Sequence, residues 1–335
     1  MPTTTREIRF AVRPVGEPGL DTFELATREL PDPAPGEIVV RNDWMSVDPY
    51  MRGRMSTAKS YAAGWELGEP MQGGAVGEVV ASAADGVAVG DLVVHGLGWR
   101  EHALLPATYV TVLDRSLAPE STFLGVLGMP GLTAYAGLTR VASMRDGDVV
   151  FVSAAAGAVG SLVGQLARHL GASRVIGSAG GPEKARHVIE ELGFDACIDY
   201  REGNVRKQLK EAAPDGIDVY FDNVGGEHLE AAIAALRLRG RIAICGAISG
   251  YNATEPPPGP RNMTSLIASR GRIEGFLVAD HFDLQRDFLA TVAPLVQSGE
   301  IAYRETVREG LEAAPQAFLD LLAGANVGKM VVKLR

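Results

Sequence analysis

The stretch Ala154-Ala155-Ala156-Gly157-Ala158-Val159-Gly160 is where residue type and spacing most directly suggest chemistry. Small residues fall at relative positions 0, 2 and 5, as Ala155, Gly157 and Gly160. That spacing suits a turn that carries a dinucleotide. The middle residue lets backbone approach a pyrophosphate, and the last lets the following helix lie close to the preceding strand. Free N–H groups and the positive dipole end at the helix start would face the anion. The first position is alanine, a departure from the all-glycine fingerprint. Small-residue turns also serve simply to pack a helix on a sheet, so the flanking elements decide between the two readings.

Charge separates the two nicotinamide coenzymes. An NAD site places an acid about 20 residues after the turn, at the end of the second strand, to bind the ribose hydroxyls. Here that place is Gly177-Ser178-Ala179-Gly180-Gly181, without an acid, and Lys184 follows. A 2′-phosphate needs a positive partner and no repelling carboxylate, so this pattern favours NADP(H). The alternative for Lys184 is a solvated lysine on a helix face, and Glu183 and Arg186 blur the local sign.

The elements that must position these residues follow from periodicity. Val149-Val150-Phe151-Val152 is a continuous apolar run, as a strand covered on both faces requires. Val159, Leu162, Val163, Leu166, Ala167 and Leu170 then keep helical spacing. Arg174-Val175-Ile176, Asp218–Asp222 and Arg241–Cys245 read as further strands, with helices near 185–192 and 229–236 between them. Alternation of this kind implies a parallel, doubly wound sheet. Residues 1–123 are β-rich instead. Ile38-Val39-Val40, Gly77–Val80, Leu92–Val94 and Tyr109–Val112 are short strand-like runs between turns, and predict a partly open barrel or sandwich. Residues 298–335 end in a strand-like run and complete this first domain, leaving 124–297 as the nucleotide-binding domain. The cluster Pro256–Pro260 reads as a stiff surface loop, and 56–70 as a loop near the site.

Composition excludes other classes. The 335 residues are 46% apolar and 22% charged, which is globular rather than disordered. Thirty-two basic against 41 acidic residues give a net charge of −9, the wrong sign for a nucleic-acid binder. No run is long and apolar enough for a membrane span. Met1–Phe10 carries no apolar stretch of signal-peptide length, and with only two cysteines a reducing cytoplasm is the expectation. Cys197 and Cys245 make no disulfide framework and read as buried, inert thiols. With them, the six histidines, none in a close H-x₃-H pair, argue against a catalytic zinc or any metal.

Several stretches together resemble one family. They are Asp48-Pro49-Tyr50-Met51-Arg52-Gly53, Pro130–Tyr135, the Ala155–Gly160 turn, Asp222–Glu227 and Cys245–Asn252. They are similar to the zinc-independent medium-chain dehydrogenase/reductases of the prostaglandin reductase (leukotriene B4 12-hydroxydehydrogenase) and plant double-bond reductase type, in the same order and over nearly the whole chain. The resemblance implies an α/β fold in which a Rossmann domain joins a β-rich, GroES-like catalytic domain built from both ends of the chain. It implies NADPH-dependent reduction of the C=C bond of α,β-unsaturated ketones and aldehydes, and a homodimer. It places Ala158, Val159 and Gly160 at the pyrophosphate, Lys184 and Tyr200 at the 2′-phosphate, and Asn223 by the adenosine or bridging ribose. Cys245, Gly246, Ala247, Ile248, Ser249 and Tyr251, with Phe276, Leu277 and Val278, would line the nicotinamide half, and Asn326 would close over the cofactor.

Hydride addition to the β-carbon of an enone builds negative charge on the carbonyl oxygen, so a placed donor lowers the barrier. Tyr251 is the first candidate, because it follows a strand's carboxyl end, where open α/β sheets bind ligands. Its alternative is a wall of the nicotinamide pocket. Tyr50 would frame the substrate mouth or pack after a proline turn, and Arg52 would attract an acidic substrate tail or serve a structural ion pair. Trp44, Trp65 and Trp99 would wall a pocket or simply pack. Rival functions are a quinone reductase of the same superfamily, an allylic-alcohol oxidation, and a non-catalytic NADPH-binding protein.

Overall fold

The computed structural model describes residues 3–335, so Met1 and Pro2 lie outside the described residues. The chain divides into two compact units. The first takes the chain up to Leu124 together with Glu305–Asn326 and Met330–Arg335; the second is Gly125–Arg304 with Val327–Lys329.

In the first unit, β1 (Thr3–Phe10) and β2 (Phe23–Leu30) pair antiparallel from Thr3↔Leu30 to Phe10↔Phe23. A larger sheet takes β3 (Glu37–Ser46), β4 (Ala75–Ser82), β5 (Leu92–His95), β6 (His102–Pro106) and β7 (Thr111–Val112), with β14 (Glu305–Glu309) and β15 (Lys329–Lys333) from the far end of the chain. Its order is β14-β15-β3-β4-β5-β7, with β6 also on β3. The short helix α1 (Met51–Arg54) follows β3. Side chains alternate between the faces of a strand, so Ile38, Val40, Val79, Val93, Ala103 and Leu105 make one cluster. A second cluster joins Phe10, Met45, Met51, Trp65 and Trp99 to Phe318 of α9 (Ala314–Leu322). Trp99 is fully buried, stacked on Phe23 at 6.0 Å and edge-on to Phe318 at 6.3 Å. Trp65 and Trp99 are therefore core residues here. The strand read over Tyr109–Val112 is shorter: 107–109 form a 3₁₀ turn with Tyr109 exposed, and pairing begins where Thr111 meets Val94.

The second unit is a six-stranded sheet of β8 (Val149–Ser153), β9 (Arg174–Ala179), β10 (Ala196–Asp199), β11 (Ile217–Asp222), β12 (Leu236–Ile244) and β13 (Arg272–Gly275). The order is β10-β9-β8-β11-β12-β13, and the paired neighbours run parallel. The links between these strands are α3 (Ala158–His169), α4 (Pro182–Glu190), α5 (Val205–Ala212), α6 (Gly226–Ala235) and α7 (Ser265–Ser269), and α8 (Gln285–Ser298) comes after the last of them. This is the doubly wound architecture expected from the alternation. Every residue of β8 is buried, and each such Val or Phe contributes about 1.5–3 kcal/mol of transfer free energy. α3 buries Leu162, Val163, Leu166 and Ala167 along one stripe. The sheet order reverses between β8 and β11, which sets the crevice at their carboxyl ends.

α2 (Met129–Ala136) precedes the sheet and passes into a π-turn over Gly137–Val141. Its glycines are forced by packing: a Cβ on Gly131 would stand 2.1 Å from the Val126 carbonyl oxygen, and one on Gly137 would meet Phe221 at 2.4 Å. The Pro130–Tyr135 motif is thus spent on a helix that lies hard against its neighbours.

Candidate active site

The turn after β8 starts with Ala154 in the left-handed region (φ 50°) and reaches Gly157, which precedes α3 without any side-chain cap. The first N–H groups of α3 therefore have no side-chain acceptor from that residue, which leaves them for an anion. A Cβ on Gly160 would stand 2.4 Å from the Ala154 carbonyl oxygen and 3.0 Å from Ala155 Cα. A Cβ on Gly157 would approach that oxygen less closely, at 3.1 Å. Gly160 thus holds helix and strand together. A segment far along the chain braces the same turn. The Gly328 amide donates to the Ala156 carbonyl at 2.7 Å, and Gly157 and Gly328 form an isolated parallel bridge.

β9 ends in Ala179, and Gly180-Gly181 carries the backbone into α4. The Tyr200 phenol covers Gly180, its oxygen 2.6 Å from where a Cβ would be. Lys184 sits in the first turn of α4, and its ammonium is pushed below the usual lysine range by burial and then by the charge of Arg201. The acid at this end comes from β10. Asp199 Oδ1 accepts from the Gly181 amide at 2.8 Å and the Arg201 amide at 3.0 Å, so its charge is engaged by the turn. Behind Tyr200 stands His228 of α6, only 5% exposed. Its ring meets Tyr200 edge-on at 5.6 Å, and its Nε2 is 2.8 Å from Ser178 Oγ. Burial lowers the His228 pKa to about 4, so the imidazole is neutral.

At the reversal of the sheet, the Asn223 amide donates to Ser153 Oγ at 2.9 Å, and Asn223 Nδ2 donates to the Ser153 carbonyl at 2.8 Å. The buried Asp222 holds the turn from below. Its Oδ1 accepts from the Val224 amide, the Gly225 amide and the Tyr220 hydroxyl at 2.9, 2.7 and 2.7 Å. Burial raises the Asp222 pKa against those bonds. Beyond β12, Cys245 and Gly246 donate their amides to the Asp222 carbonyl, Ile248 to Asn223 and Ser249 to Val224. The Cys245 thiol is pushed up to about 12, first by burial and then by Asp222. Tyr251 folds back so that its hydroxyl lies 3.2 Å from the Cβ position of Gly246. Past β13, Phe276 donates its amide to the Ile244 carbonyl and meets Phe221 edge-on at 6.1 Å; Leu277 and Val278 follow. Each sequence-assigned residue of this unit therefore follows the carboxyl end of a strand. The stretches involved are Gly157–Gly160 after β8, Lys184 after β9, Tyr200 after β10, Asn223 after β11, Cys245–Tyr251 after β12 and Phe276–Val278 after β13.

Tyr50, Arg52 and Asn326 belong to the first unit. Tyr50 is half-buried against the Met51 and Trp65 cluster, at the head of α1, and burial followed by the charge of Asp48 raises its phenol above the usual range. Arg52 is 6% exposed and donates from Nη2 to the Gly16 carbonyl at 2.6 Å. That burial favours the structural side of the two readings of Arg52. Asn326 is buried as well.

Three contributions were not visible in the sequence. His228 carries no spacing signal. The Asp199 carboxylate on the Gly181 amide and the Gly328 brace on Ala156 join segments far apart in the chain, which no local pattern reveals.

Comparisons with known proteins identify the family of the chain. The chain matches the family described as the N-terminal domain of oxidoreductase over residues 6–113, and the family described as zinc-binding dehydrogenase over 158–297. Among the described residues, no group of three His, Cys, Asp or Glu side chains converges to hold a metal. The chain is 44% identical to an NADP(+)-dependent 2-alkenal reductase of Nicotiana tabacum, over 88% of this chain and 87% of that one. It is 42% identical to prostaglandin reductase 1 of Rattus norvegicus, over 95% of each. The crystal structure of CurA from Vibrio vulnificus in complex with NADPH matches with a TM-score of 0.93 at 43% identity, covering 98% of this chain and 99% of that one. The chain belongs to the medium-chain dehydrogenase/reductase family, in its zinc-independent group of double-bond reductases.

Proposed function

We propose that this protein reduces the C=C bond of α,β-unsaturated ketones and aldehydes with NADPH. The observation that carries the reading is the Tyr251 hydroxyl, set over Gly246 at the carboxyl edge of the sheet that also presents the Gly157–Gly160 turn. The residues fit the cofactor. Gly160 lets α3 start directly behind Ala154. The uncapped α3 terminus suits a pyrophosphate, and Lys184 with Tyr200 suits a 2′-phosphate. The names of the relatives support the same coenzyme.

NADPH held by the Gly157–Gly160 turn with Lys184 and Tyr200 would supply a hydride to the β-carbon of the enone, and the resulting enolate would take a proton from water at the α-carbon. Tyr251 donates a hydrogen bond to the carbonyl oxygen as charge builds there, and one such donor is worth about 10²–10³ in rate. Asn223, tied to Ser153 by two bonds, fixes the floor on which the Ile248 and Ser249 backbone rests. A quinone reductase would make the same demand on the cofactor edge, and a parallel assay separates the two. Two further readings belong with this function. Both cysteines are free, which suits a reducing cytoplasm. β13 is the terminal strand of its sheet, and the segments before and after it leave Ile267 and Phe282 exposed, which suits pairing of two copies along that edge.

The test is NADPH consumption with an enone such as 3-nonen-2-one and, in parallel, with a quinone and with NADH. Rapid turnover with the enone and NADPH is expected; turnover with the quinone alone would replace this reading by its rival.

A further inference from the structure

Arg201 directly follows Tyr200 in the turn after β10. Its backbone amide is held by Asp199 Oδ1 at 3.0 Å, which fixes the direction in which the side chain leaves. Its Nη1 lies 3.7 Å from where a Cβ of Gly181 would stand, beside the backbone that opens α4. Its charge reaches Lys184, one turn along α4. The nearby acids do not neutralise it. Asp199 is turned onto two backbone amides, and no ion pair between Arg201 and any acid occurs among the described residues. The guanidinium therefore lies beside the Gly181 backbone that opens α4, in whose first turn Lys184 sits, and the Tyr200 phenol covers the adjoining Gly180.

Two like charges held together repel, and a dianion between them turns the repulsion into attraction. A phosphate monoester carries about −1.5 to −2 at neutral pH, more than one ammonium balances. A planar guanidinium adds two parallel N–H bonds that an ammonium cannot. We propose that Arg201 is a second cationic contact for the cofactor's 2′-phosphate, gripping it opposite Lys184 and setting the preference for NADP over NAD. This rests on the reading that the dinucleotide lies along the carboxyl edge of the second unit.

Binding of two nucleotides that differ only by the phosphate in question tests it: adenosine 2′,5′-bisphosphate and adenosine 5′-monophosphate, titrated calorimetrically into the full-length wild type, Arg201→Gln and Arg201→Lys. The expected result is about tenfold weaker binding of the bisphosphate to Arg201→Gln, partial recovery in Arg201→Lys, and unchanged binding of the monophosphate. The wild-type affinity for the bisphosphate should also fall more steeply with added salt than that of Arg201→Gln. If Arg201→Gln binds the bisphosphate as the wild type does, Arg201 is no part of the subsite and the proposal is overturned, while the cofactor reading stands. If the wild type binds the bisphosphate no better than the monophosphate, the phosphate site itself is misplaced and both fall. Arg201 is exposed, and its side chain bonds no other residue among those described, so its variants are expected to melt at the wild-type temperature.

Discussion

The Tyr251 hydroxyl occupies space that exists because residue 246 has no side chain: it lies 3.2 Å from the position a Gly246 Cβ would take, and the Asn223 carbonyl oxygen is 3.5 Å from that same point. Gly246 donates to the Asp222 carbonyl at the end of β11 and Asn223 is tied to Ser153 at the end of β8, so the phenol rests on backbone that the sheet itself fixes. This placement suits the proposed donor role, because a group that changes little on meeting charge stabilises a transition state best.

Replacing Tyr251 with Phe is expected to lower kcat with an enone about 10²–10³-fold, the usual worth of one such donor. Affinity for NADPH, followed by fluorescence, should stay within about twofold. Wild-type turnover in this variant would remove the proposed role.

The two loop glycines should differ in severity. Gly160→Val sets Cβ against the Ala154 backbone at 2.4 Å, where no side chain can yield. Overpacking of this kind costs about 1–3 kcal/mol, and α3 must also back away from the phosphate. NADPH affinity should drop by at least about tenfold together with the melting temperature. Gly157→Ala meets the same oxygen only at 3.1 Å and should be much milder. Equal effects would contradict the packing role assigned to Gly160.

Lys184→Ala should raise KM for NADPH while leaving the weak KM for NADH where it was, since only the former has a 2′-phosphate to lose. A parallel rise in both would mean that Lys184 supports the fold of α4 rather than the coenzyme.

Acid should weaken the protein through two histidines. Asn42 Nδ2 donates to the Leu97 and Arg100 carbonyls, so its Oδ1 faces His95 Nε2 at 2.9 Å, and His95 Nδ1 accepts from the Leu97 amide at 3.1 Å. Both ring nitrogens are committed to the neutral form, and burial followed by Arg100 lowers the pKa from 6.5 to about 3. His228 is lowered by burial to about 4. The unfolded chain binds these protons near pH 6.5 and the folded chain does not. This stability is therefore complete above that pH and is lost progressively below it, down to the folded values. Denaturant midpoints should fall between about pH 7 and pH 5, a window in which most carboxylates do not yet titrate. His95→Gln should flatten that slope; an unchanged slope would assign it to other groups.

The central strands of the second unit were legible because they are buried on both faces. β8 and β11 carry apolar runs through the middle of the sheet, and α3 keeps its stripe. The terminal strands were not: Ala196–Asp199 and Arg272–Gly275 are partly exposed, mix polar with apolar residues, and hold no period of their own. β1 and β2 were missed for the same reason, since Arg6, Arg9, Arg28 and Glu29 interrupt them.

The site divides similarly. Gly157 and Gly160 announced themselves through spacing, and the lack of an acid at Gly177–Gly181 pointed to the right coenzyme chemistry. His228 and Gly328 act through neighbours distant in sequence, so only the folded chain shows them. Arg52 was readable as a basic residue in a motif, but its burial against the Gly16 carbonyl was not.

The most direct test follows the hydride itself. Turnover of 3-nonen-2-one with NADPH deuterated at the nicotinamide C4 position, in the full-length protein, should give the saturated ketone with deuterium on the carbon β to the carbonyl. Deuterium on the carbonyl carbon, an allylic alcohol as product, or no consumption of NADPH at all would contradict the account.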